Sequence, residues 1–186
     1  RLGRGEVGAV RGLDDGVDVG PVINERQLNR IHSYSEIGLA EGAHLLTGGE
    51  IARGGALDEG FFYRPTVFGG VRRSMRIAQE EIFGPTTVVM PVESIDEALA
   101  VANSTQYGLS LSVYTNDLRV AFRAINELES GIVYVNAPTI GAEIQLPFGG
   151  TKNTGNGSRD AGGHVLDEYS EWKSVYIDYS GRLQRA

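Results

Sequence analysis

Apolar residues first fall into a helical rhythm in NERQLNRIHSYSEIGLAEG, where Leu28, Ile31 and Ile37 line one face. Asn24 is placed to cap this helix and Gly42 to stop it. HLLT, closed by Gly48 and Gly49, reads as a short strand. GFFYRPTVF reads as another, with Pro65 marking an edge or a bend. From Thr86 the alternation becomes regular. TTVVMPV predicts a buried strand, SIDEALAVANS a helix with a capping box from Ser94 to Glu97, and LSLSVYT an alternating strand. NDLRVAFRAINELESG predicts a helix capped by Asn116 and ending at Gly131, with Leu118, Phe122, Ile125 and Leu128 inward. IVYVN is one more strand. Strand, helix, strand, helix, strand at these lengths predicts an α/β fold, a parallel sheet with covering helices and right-handed crossovers.

Periodicity fades on either side of this block. Residues 1–22 are rich in Gly and Asp and predict an irregular N-terminal segment; 23–150 form the main α/β domain. Residues 151–186 should hold a loop, a short helix from His164 to Tyr169, and a last strand in EWKSVYIDYS. That strand is apolar on both faces, as one covered on two sides must be. Another subunit is the expected cover, which predicts a homo-oligomer.

Charge narrows the partners. With 17 basic and 24 acidic residues the net charge is -7, which lacks the footprint of a nucleic-acid or anionic-membrane binder. No apolar run is long enough to span a bilayer, and RLGRGEVGAV is too polar for a signal peptide. The chain has no cysteine, so it carries no disulfide, thiolate metal site or thiol nucleophile. Cytoplasm is the default location. The first residue is Arg rather than Met, so the expectation is a trimmed chain or a piece of a longer polypeptide.

Most candidate motifs dissolve in context. Gly3-Arg4-Gly5-Glu6-Val7-Gly8 spells a dinucleotide fingerprint, but no strand precedes it and Asp14, Asp15 and Gly16 interrupt a following helix. GGTKNTGNG lacks the Lys-Ser/Thr that completes a phosphate loop. His32, His44 and His164 have no metal-ligand spacing, so no metal site is expected. QEEIFGP is different. Glu80-Glu81 alone reads as a solvated acidic turn. Phe83, Gly84-Pro85 and the strand behind them support a second reading, in which a carboxylate accepts two ribose hydroxyls while the ring packs a heterocycle.

EEIFGP, preceded by PTVF and MRIAQ and followed by YGLSLSVYT, GIVYVN and PFGGTKNTGNG, resembles the C-terminal part of an NAD(P)-dependent aldehyde dehydrogenase. PTIGAEI and SVYIDYS further resemble the branch acting on semialdehydes such as aminoadipic semialdehyde. The resemblance implies half of the family's catalytic domain plus a C-terminal oligomerisation strand. It implies NAD or NADP as cofactor, with Glu81 accepting the nicotinamide ribose hydroxyls and Phe83 resting near the nicotinamide ring. Asn136 and Phe148 match positions lining the catalytic pocket for a small aldehyde. Gly141 and Ala142 match a loop whose backbone N–H groups hold a substrate carboxylate. Arg159 and Glu171 match an interface charge network, and Val175 and Ile177 lie in the oligomerisation strand.

The family's thiol nucleophile, its base and its dinucleotide-binding domain precede this stretch, and the chain has no thiol of its own. The expectation is therefore no catalytic residue here, no dehydrogenase activity and weak or no cofactor binding by the chain alone. Two alternatives stand beside a fragment: a stand-alone assembly or binding module, and a half-enzyme completed by a separate N-terminal chain.

Overall fold

The computed structural model describes residues 18–141 and 143–182. The chain divides into two units, the first ending at Thr105 and the second beginning at Gln106.

The first unit is organised by α1, Glu25–Ala40. Asn24 caps it, its side-chain oxygen accepting from the Gln27 N–H at 2.9 Å. Leu28, Ile31, Tyr34 and Ser35 are buried along one face and Ile37 packs at its margin. Gly42 follows the helix with φ +91, the left-handed backbone that favours glycine at a helix end. The sheet has β1 (His44–Thr47), β2 (Thr66–Gly69) and β3 (Thr86–Val88) in that order. β1 runs antiparallel to β2, whereas β2 and β3 are parallel. Tyr63, Phe68, Val71, Met75, Ile77 and Ile82 join the α1 residues in one core. The short helix α2 (Arg76–Gln79) packs so closely on α1 that a Cβ at Gly38 would lie 2.9 Å from Ile77. Ser94 caps α3 (Ile95–Ala102), and Glu97 returns to the Glu93 N–H at 2.8 Å.

The second unit pairs β4 (Tyr107–Gly108) with β7 (Thr151–Lys152), antiparallel. It also pairs β5 (Ser110–Val113) with β6 (Ile132–Val135), parallel. α4 (Leu118–Glu127) is the right length for the crossover between the parallel strands and packs on β6. A Cβ at Gly131 would lie 1.7 Å from the Gly149 carbonyl oxygen, so only glycine lets these two backbones meet. A last helix, α5, covers Val165–Glu168.

The α/β architecture agrees with the expectation, and three details correct it. The sheets are mixed, with parallel pairing confined to β2–β3 and β5–β6. Asp117, not Asn116, caps α4, accepting from the Arg119 N–H at 2.8 Å; two adjacent side chains could serve and the later one does. Leu118, Phe122 and Ile125 do not turn inward: they are exposed, and α4 buries Ala121 and Ala124 about a quarter turn away. Residues 171–179, where a strand against a second subunit is expected, form no strand within the single chain.

Candidate functional site

The corner between α2 and β3 concentrates the polar chemistry of the first unit. Glu80 accepts from Arg76 twice, at 2.8 and 2.9 Å, and from the Tyr34 hydroxyl at 2.6 Å. The Arg76 bonds first, and the Tyr34 bond second, hold its carboxyl down to about 2. Tyr34 is buried, and its ring lies between two guanidiniums, Arg30 at 5.1 Å and Arg76 at 5.5 Å from the centroid. Its phenol is pushed up, chiefly by the bond to Glu80 and then by burial.

One residue on, the chain turns outward. Glu81 is exposed, Ile82 is buried in the core, and Phe83 is 74% exposed. Phe83 adopts φ +57, a left-handed conformation that a bulky side chain rarely takes. Gly84 crosses directly over α1, where a Cβ would lie 2.5 Å from Ile31. Three carbonyls of this corner are tied down. Gln27 Nε2 donates to Ile82 O at 3.0 Å and Phe83 O at 2.9 Å, and Arg30 Nη2 donates to Glu81 O at 2.9 Å. The backbone is fixed while the Glu81 carboxylate and the Phe83 ring remain free. Together with Ile23, Asn24, Arg26, Gln27 and Arg30 they line an open cleft of ≈480 Å³. Glu81 and Phe83 thus line one cleft.

In the second unit the expected residues separate into four places. Asn136, at the end of β6, also takes a left-handed φ of 55. Its side chain accepts from the Thr115 N–H at 2.8 Å and donates to the Thr115 carbonyl at 3.0 Å, closing the ends of β5 and β6 like one more ladder rung. Gly141, with φ +90, offers its carbonyl to the Tyr134 hydroxyl at 2.8 Å. Ala142 lies outside the described residues. Phe148 is half-buried, and its carbonyl accepts from the Asp160 N–H at 2.8 Å. Beside it, Arg159 donates to the carbonyls of Gly150 and Ser158 at 3.2 and 2.9 Å. Glu171, Val175 and Ile177 stand on the exposed C-terminal segment.

Among the described residues no group of three His, Cys, Asp or Glu side chains could hold a metal ion, and no helix is long and apolar enough to cross a membrane. Sequence reasoning missed Gln27, Arg30, Tyr34 and Arg76. Their spacing shows which polar residues share a turn of α1, but the partners of Gln27 lie 55 and 56 residues away.

Comparison with known proteins adds a consistent set of relatives. A model described as the aldehyde dehydrogenase family matches residues 4–175. An alpha-ketoglutarate semialdehyde dehydrogenase of Haloferax volcanii is 45% identical over 163 residues, covering 87% of this chain and 34% of that protein. An alpha-ketoglutaric semialdehyde dehydrogenase of Bacillus subtilis is 40% identical over 165 residues, covering 89% and 34%. Among solved structures, an NAD-dependent aldehyde dehydrogenase from Sinorhizobium meliloti superposes with a TM-score of 0.84 at 39% identity, covering 93% of this chain and 33% of that one. A point mutant of betaine aldehyde dehydrogenase from Staphylococcus aureus in complex with NAD+ gives 0.87 at 36% identity, covering 95% and 36%. The chain therefore spans about a third of the length of the relatives it matches.

Proposed function

Because the chain belongs to the aldehyde dehydrogenase family, we propose that it forms the C-terminal part of an enzyme oxidising an aldehyde to a carboxylate with NAD or NADP. Its share of the work is to hold the nicotinamide half of the cofactor, line part of the substrate pocket and build the subunit interface. The observation that carries this reading is the corner of Glu81 and Phe83. A carboxylate that can accept from ribose hydroxyls stands beside an aromatic face held open to solvent in a costly backbone conformation. The cleft they line is open enough for part of a dinucleotide, so the residues fit the group. Bound there, the nicotinamide supplies a hydride acceptor; the chain supplies position.

Glu81 fixes the ribose and Phe83 limits where the ring can lie, which serves catalysis by orientation. In the second unit, Asn136 and Phe148 flank the substrate pocket, and the Gly141–Ala142 loop meets a carboxylate on the substrate. The relatives named for a semialdehyde support a substrate carrying both groups. Assembly follows from residues 171–179, an exposed run in which Val175 and Ile177 would pair as a strand with a second copy, helped by Arg159 and Glu171. With no cysteine, the chain alone turns over no aldehyde by thiol chemistry.

The test joins this chain to the part of the Bacillus subtilis relative that it does not match and follows NADH production. Glu81→Gln and Phe83→Ala should each lower kcat/KM for the cofactor about tenfold or more, with the aldehyde KM little changed. Wild-type cofactor kinetics in both variants would refute the assignment.

A further inference from the structure

We propose that Gln27 and Arg30 are positioning residues: from successive turns of α1 they hold the backbone of Glu81, Ile82 and Phe83, so that the exposed carboxylate and ring are presented in one fixed arrangement. The proposal rests on the reading of that corner as a cofactor site, and it assigns the residues that make it rigid. Three consecutive carbonyls accept from two side chains at 2.9, 3.0 and 2.9 Å. Both donors reach across from α1, which is anchored by Leu28 and Ile31 in the core. A left-handed Phe83 is a sparsely populated state, and surrounding structure must hold it there. Ile82 packing and the Gly84 crossing fix one side of the corner; the Gln27 amide and Arg30 guanidinium fix the other.

Arg30 is itself held. Its Nη2 also reaches the Tyr34 hydroxyl at 3.4 Å and its guanidinium stacks over the Tyr34 ring, while Tyr34 is fixed by Glu80 and thus by Arg76. The chain of contacts runs from α2 through Tyr34 and Arg30 to the carbonyl of Glu81. Gln27 and Arg30 also line the cleft, but the role assigned to them is exerted through the backbone of residues 81–83, which separates it from the roles of Glu81 and Phe83.

The measurement is backbone ¹⁵N relaxation on the purified full chain, without cofactor. In the wild type, amides 82–84 should be as rigid as α1, with order parameters near ~0.85. Gln27→Glu keeps size and shape but sets a carboxylate against two carbonyl oxygens; its amides 82–84 should fall below ~0.6 while α1 and β2 stay rigid and the melting temperature holds. Arg30→Ala should loosen residues 81–83, and Arg30→Lys, which keeps a donor, should restore most of that order. Unchanged order in Gln27→Glu and Arg30→Ala, a corner already mobile in the wild type, or loosening spread through α1 would each overturn the proposal. Failure of the cofactor reading is separate: it shows as unaltered cofactor kinetics in Glu81→Gln and Phe83→Ala with the corner rigid.

Discussion

α1 and α4 are both amphipathic, yet they meet opposite fates in this chain. α1 buries Leu28, Ile31 and Tyr34 against Phe68, Ile77 and Ile82. α4 buries only two alanines and leaves Leu118, Phe122 and Ile125 at 73%, 62% and 46% exposure. An apolar stripe states that a face will be covered; it does not say by what. The same holds for extended segments. β3 finds β2 beside it, whereas residues 171–179 form no strand and leave Trp172, Val175 and Tyr179 exposed.

Substitutions can sharpen or break this contrast. Ile31→Ala removes a side chain with 0% exposure and should cost about 2–5 kcal/mol in urea unfolding. Phe122→Ala, a larger truncation on α4, should stay within about 0.5 kcal/mol in the same assay. If Phe122→Ala costs as much as Ile31→Ala, the α4 stripe is covered in solution and the comparison fails. Asn24→Ala removes the cap of α1 and should cost ~1 kcal/mol, read as a lower denaturation midpoint.

A smaller effect concerns acid. Glu80 has a folded-state pKa of about 2 against an ordinary 4.5, owing first to Arg76 and then to Tyr34. A depressed carboxylate stabilises the fold above its unfolded value, and that contribution fades as pH falls from about 4.5 toward 2. Glu80→Gln should therefore flatten the acid limb of a pH–stability curve in that window. The loss should be modest because the pair is partly solvated. An unchanged acid limb would show that the Tyr34 cluster does not brace the corner.

Legibility followed the range of each interaction. Caps at Asn24 and Ser94 are local, and sequence reveals them. The α4 cap slipped by one residue, since Asn116 and Asp117 both offer an acceptor. Glu81 and Phe83 could be singled out because an aromatic between two acidic residues and a Gly-Pro turn is locally odd. Their supports could not, because the bond from Gln27 to Phe83 spans 56 positions. Asn136 was picked out only through the family resemblance, and its bonds to Thr115 depend on β5 and β6 pairing in register.

The central claim is that this chain carries the cofactor-facing wall and not the reactive thiol. The direct measurement is NADH formation from NAD+ and the semialdehyde named for the relatives, by the purified chain alone and after joining to a cysteine-bearing family N-terminal part. The account predicts no turnover alone and turnover once joined. Oxidation by the isolated chain, unaffected by thiol reagents, would contradict it.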